Sequence, residues 1–174
     1  PNKLAKFRMT LKIHKNPFKF RPIVCCAGTF MNDWSKWLDY QLQKLKPFVK
    51  TYLKDSQQVT DELKTIPNPL PPNARLFTTD ANSMYDNIDT EHAIKVITWF
   101  LDELGPLLPP GFPIEAVKSA MEIIMKNNIF TWGVLFFLQC MGTAMGTSAA
   151  VMWVTLYYGY HENNCLIPKY GNNM

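Results

Sequence analysis

Three stretches carry residue types at spacings that could do chemistry. The first is RLFTTDANSMYDNID, Arg75 to Asp89, in which strand-forming residues Leu76 to Thr79 run into Asp80 and Tyr85 follows five residues later. A carboxylate at the end of a strand is held by strand geometry and can offer oxygen to a divalent ion. The turn after it leaves backbone groups and an aromatic ring to face a ligand. The bland alternative is that Asp80 opens an Asx-turn with Tyr85 packed beneath it. The second stretch is cationic and includes Lys12, Lys15, Lys19 and Arg21. It can serve phosphates, or simply protect a solvated strand edge. The third is the small-residue run Gly142-Thr-Ala-Met-Gly146-Thr-Ser, which permits close backbone approach to a ligand or only tight packing. Together they supply what a nucleoside triphosphate needs: cations for phosphate, a carboxylate for metal, and flat or small surfaces for base and sugar.

The elements that must position these residues are legible from periodicity. Phe7, Met9, Leu11 and Ile13 alternate with Arg8, Thr10, Lys12 and His14, which predicts a half-buried strand with a basic outer face. A turn at Lys15–Lys19 and a second strand over Phe20–Cys26 complete a basic hairpin, with Pro22 favouring an edge. Trp34, Trp37, Leu38, Leu42 and Leu45 predict a helix from Asn32 to about Tyr52, capped by Asn32 or Asp33. A second helix runs from Ser56 to Thr65. The proline-rich stretch Pro67–Asn73 then marks a division into residues 1–74 and 75–174. Asp89 or Thr90 caps a helix to Leu104, and Ile114, Val117, Met121 and Ile124 mark another. Strands at 129–132 and 134–139 flank Gly133, and a helix through Tyr160 follows the glycine loop.

Composition narrows the function classes. The 174 residues are 47% hydrophobic and 18% charged, enough for a sizeable core and too apolar for global disorder. The net charge is +4, and seven of the cations (Lys3, Lys6, Arg8, Lys12, Lys15, Lys19 and Arg21) fall in the first 21 residues, with no acid among them. A local basic end suits a polyanionic partner. Cys25, Cys26, Cys140 and Cys165 form no CxxC pair, and His14, His92 and His161 complete no zinc spacing, so a reduced intracellular setting, nuclear or cytoplasmic, is expected. The basic N-terminus lacks the apolar run of a signal peptide. The chain starts on Pro1 and reads as an excerpt.

No Asp, Glu, Lys or Arg occurs between Lys126 and Glu162, so a membrane span within 129–160 is a rival reading. Against it stand Gln139, several threonines, the glycines Gly133, Gly142 and Gly146 and the lack of a flanking cation cluster.

The blocks KIHKNPFKFRPIV, DANSMYDNI and QCMGTAMGTSAAV, in this order, resemble successive blocks of reverse transcriptases, RNA-dependent DNA polymerases. The chain looks most like the Penelope-like retroelement enzymes, which are related to telomerase catalytic subunits. WSKWLDYQLQKL followed by LKDSQQVTDEL resembles their connecting region, so the likeness covers nearly the whole chain. It implies an α+β fold, the fingers and palm of a right-handed polymerase, with a small antiparallel sheet packed against helices. It also implies residue roles. Arg21 grips the incoming triphosphate, with Lys12 and Lys19 as helpers. Asp80 is the first metal-binding and catalytic aspartate. Ala81 to Met84 present backbone groups to the second metal and the triphosphate. Tyr85 stacks under the sugar and excludes a 2′-hydroxyl. Gly142, Met145 and Gly146 touch the templating pair and the primer end, and Lys15, Gly142 and Gln139 contact nucleic acid.

Met145 stands where several related polymerases have glutamine, and Asp86 where the family often has a small polar residue. The resemblance further implies two Mg2+ or Mn2+ ions, an RNA template, a DNA primer, deoxynucleoside triphosphates and no membrane. The family's second carboxylate block, an aromatic and one residue before Asp-Asp, is absent, and its expected place lies just after PKYGNNM. The 174 residues alone are therefore expected not to polymerise. The alternative is a non-catalytic nucleic-acid-binding relative.

Overall fold

The computed structural model describes residues 4–66, 69–70, 72–73, 75 and 78–170. It is α+β, a helical layer beside one four-stranded sheet. Strands β1 (Ala5–Lys12) and β2 (Lys19–Cys25) form the hairpin, paired antiparallel from Lys6↔Cys25 to Lys12↔Lys19. β2 is an edge strand, as Pro22 requires of a residue with no backbone N–H to donate. Strands β3 (Ile129–Trp132) and β4 (Leu135–Leu138) form a second hairpin about Gly133, which turns at φ +61°.

The sheet order is β2-β1-β3-β4, and β1 pairs with β3 in parallel. The sheet is thus mixed, not antiparallel as expected. Parallel neighbours need a long crossover, and the helices between the two hairpins supply it.

Helix α1 (Asn32–Gln43) starts one residue after Met31, and no side chain caps it. Asn32 and Asp33 lie inside its first turn, where Asp33 instead pairs with Lys36 at 3.2 Å. The helix closes on backbone bonds from Lys44 N–H to Gln41 and Leu45 N–H to Leu42, well before Tyr52. Pro47 then sits in a short tight turn, Lys46–Phe48. α2 (Ser56–Lys64) is capped by Asp55, whose side chain accepts from the Gln58 N–H, and it buries no residue.

α3 (Thr90–Leu104) is capped by Asp89, which accepts from the His92 N–H at 2.9 Å. α4 (Ile114–Lys126) and α5 (Ala150–His161) follow, then a wider-wound segment Glu162–Leu166 and the short α6 (Ile167–Tyr170).

The core lies among α1, α3, α4 and α5, where Leu38, Leu42, Ile97, Leu101, Met121 and Trp153 are fully buried. It draws on both sides of the proline-rich connector. α5 is apolar around most of its circumference because α1 and α3 both pack on it, and Gly159 admits the Val49 side chain against its backbone. Among the described residues no helix is long and apolar enough to cross a membrane.

Candidate nucleotide and nucleic-acid site

Residues opposite one another in an antiparallel pair share a sheet face, and successive residues alternate. The hairpin register therefore puts Lys6, Arg8 and Lys12 of β1 on one face with Lys19 and Arg21 of β2. Phe7, Met9 and Leu11 share the other face with Val24, Pro22 and Phe20. The basic face is as expected, and it gathers the three residues assigned to the triphosphate. The apolar face departs from expectation. Only its Ala5–Phe7 end is covered, by Ala144 and Phe130. Met9 is 51% and Leu11 46% exposed, and among the described residues no helix packs substantially on β1 or β2. Lys15 lies exposed in the connecting turn.

The glycine loop joins this hairpin to the Asp80–Asp89 stretch. Gly142 has φ +77°, and a Cβ there would stand 2.8 Å from the Tyr85 carbonyl oxygen and 2.9 Å from that of Asp86. Its N–H donates to the Ile88 carbonyl at 2.9 Å. The next N–H, of Thr143, donates to the Tyr85 carbonyl at 2.8 Å. The Thr90 hydroxyl donates to the Gly142 carbonyl at 3.2 Å. Four residues on, Gly146 bridges to Cys25, and any Cβ there would overlap the Val24 carbonyl. The two glycines are thus the points at which the loop touches backbone on either side. A side chain at either would drive the three stretches apart.

The expected strand before Asp80 includes Leu76 and Phe77, which lie outside the described residues. Thr78, Thr79 and Asp80 have no regular secondary structure and are exposed, as is Ala81. A tight turn over Asn82–Asn87 follows, closed by Ser83 at φ 49° and by bonds from the Asp86 and Asn87 N–H groups to the Ser83 carbonyl. Tyr85 is half-buried and packs with Met84 on the helical core. The Tyr158 hydroxyl donates to the Met84 carbonyl at 3.2 Å.

Among the described residues no three His, Cys, Asp or Glu side chains gather to hold a metal ion. The two ions implied by the family likeness thus do not find a complete ligand set in these residues, and Asp80 supplies one carboxylate at most.

Between hairpin and loop lies a pocket of about 210 Å³, bounded by Phe7, Pro22, Phe130, Gln139, Met145 and Asp86. It brings two expected nucleic-acid residues, Gln139 and Met145, to one place. Gln139 is largely committed within the protein, however. Its Nε2 donates to the Met141 carbonyl at 3.0 Å, and its Oε1 accepts from Asn128 Nδ2 at 2.6 Å. Arg21, Lys12 and Lys19 belong to the face of the hairpin that does not line the pocket. Asp86 lines it, although it was noticed in the sequence only as a family variation. The signal was its position beside Tyr85.

Sequence reasoning missed a further cluster where α3 begins and α5 ends. His92 Nδ1 lies 3.1 Å from the Tyr157 hydroxyl, and the His92 and His161 rings are 5.5 Å apart. Burial, helped by nearby His92, holds the His161 imidazole below its usual range, and burial pushes the Tyr157 and Tyr158 phenols up. The three histidines are spread over the sequence, so no spacing rule draws attention to this pair.

No protein-family model, curated protein or solved structure matches the chain.

Proposed function

We propose that this chain is the fingers-and-palm unit of a reverse transcriptase, working on an RNA template, a DNA primer and deoxynucleoside triphosphates. What supports the reading is one observation. Three stretches far apart in sequence, each resembling a reverse-transcriptase block, are in backbone contact through Gly142 and Gly146. A loop that ties a cationic hairpin to the turn after a carboxylate is the arrangement such a site needs. Positioning of this kind is itself a large part of catalysis.

In this reading Arg21, Lys12 and Lys19 meet phosphate, Tyr85 bounds the sugar, and Asp80 is the catalytic aspartate. The test is template-directed primer extension by a protein carrying these residues. Asp80→Asn is expected to abolish synthesis while oligonucleotide binding persists, because binding rests on the hairpin cations. Extension that survives Asp80→Asn would overturn the assignment. Tyr85→Ala is expected to admit ribonucleotides. Its stability is measured alongside, since the ring also packs on the core.

A second reading, nucleic-acid binding without synthesis, is favoured by the basic hairpin face, which needs no metal to act. Salt-dependent binding with no extension under any template and ion would establish it.

A further inference from the structure

We infer that Asp86 is a specificity-determining residue. The pocket between the hairpin and the glycine loop takes one unpaired nucleobase, and Asp86 selects bases that present amino N–H donors, guanine foremost. The inference rests on the nucleic-acid reading above and adds to it which base this site prefers.

The walls suit a flat ring. Phe7 and Phe130 stack at 5.5 Å between ring centroids with planes 29° apart, and Pro22 and Met145 complete an apolar surround. Aromatic and thioether groups accept the face of any base. At about 210 Å³ the pocket is below the ~300–1,000 Å³ of a drug-sized site, so it suits one ring system and not a whole nucleotide.

Asp86 is the one charged residue lining the pocket, and its carboxylate joins no ion pair among the described residues. Its backbone is held from two sides. The Asp86 N–H donates to the Ser83 carbonyl at 2.9 Å, and Gly142 lies directly against its Cα and carbonyl. Of the two other polar side chains at the pocket, Gln139 is occupied by Asn128 and Met141, and Thr143 is buried.

A carboxylate only accepts hydrogen bonds. Beside a polyanion it repels phosphate, so it favours binding only where base donors reach it. Guanine sets N1–H and N2–H side by side, matching the two carboxylate oxygens. Cytosine offers one amino group. Thymine and uracil flank a single N–H with two carbonyls, which the carboxylate repels. The backbone of such a strand has a cation nearby. Pro22 lines the pocket, and its neighbour Arg21 projects from the other face of the same edge strand.

The experiment uses the chain as it stands and compares, by fluorescence anisotropy, a short oligothymidylate with the same strand carrying one central guanine. The wild-type chain should bind the guanine strand about tenfold tighter, the range of one good bidentate base contact. Asp86→Ala should bind both strands alike. Asp86 is exposed, so the variant should keep its fold, which circular dichroism checks. Equal binding of both strands by the wild type, or a guanine preference that survives Asp86→Ala, overturns the inference and leaves the polymerase reading standing. No salt-dependent binding of either strand overturns both.

Discussion

The helical layer and the sheet use their apolar residues in opposite ways. In α1, α3, α4 and α5 the apolar face of each helix closes on its neighbours, and Leu38, Ile97, Leu101, Met121 and Trp153 lose contact with water altogether. In the sheet only Ala5 and Val24 are buried, beside Cys26 and Ala144 of the adjoining loops, while Phe20, Trp132, Leu135 and Phe136 stay exposed. The difference teaches where stability resides and which surfaces are left open to a partner. Burial in the helical layer is the main source of folding free energy, because that energy scales with apolar area removed from water. The sheet contributes less to folding and presents two chemically distinct surfaces, one cationic and one aromatic.

The sharpest way to break this comparison is to truncate one large side chain in each region. Trp153→Ala should cost about 3–5 kcal/mol in denaturant unfolding, whereas Phe136→Ala should change stability by no more than about 0.5 kcal/mol. Similar losses at both positions would mean that the sheet is as much a core as the helices.

The next effect concerns the joint between the regions. Gly146→Ala and Gly142→Ala should each cost about 1–3 kcal/mol, the first by overlap with the Val24 carbonyl and the second by backbone strain at φ +77°. A neutral result at either would show that the loop does not bind the two regions together.

On the cationic face, Arg8→Ala and Arg21→Ala should leave stability unchanged. Each should lower the slope of log affinity against log salt by about one for single- or double-stranded nucleic acid. An unchanged slope would remove that face from the binding surface.

The smallest effect is on pH and belongs to the helical layer. Burial, then the neighbouring His92, depress the His161 imidazole, so the folded state favours the neutral ring. The unfolded state binds the proton more readily. This contribution to stability is therefore present above the ordinary imidazole range and is lost as pH falls through and below it. Denaturant midpoints at mildly alkaline and mildly acidic pH measure it. His161→Phe should flatten the difference, and an unchanged difference would assign it to other groups.

Much of the fold was legible because local patterns carry it. Alternation located the first hairpin, and Pro22 placed its second strand at an edge. Helical spacing found α3 and α4, and Asp89 was a recognisable cap. The cap of α1 was misread because Asn32 and Asp33 are good caps locally, yet the turn at Thr29–Met31 starts the helix one residue earlier. Exposure of Met9 and Leu11 was not legible either. Alternation tells which residues share a face, and only the reach of the neighbouring layer tells whether anything covers it.

For the candidate site, the sequence by itself determined the inventory: cations at Lys12, Lys19 and Arg21, a carboxylate at Asp80, an aromatic at Tyr85 and two glycines four residues apart. Residue type and short-range spacing are local properties. Only the tertiary structure decided that Gly142 rests on the Tyr85–Asp86 backbone and Gly146 on Val24 and Cys25. It also decided that Asp86 lines the pocket while Tyr85 packs inward, and that β1 and β3 run parallel. These are contacts between stretches far apart along the chain. They depend on how the helical layer closes, which no local spacing encodes.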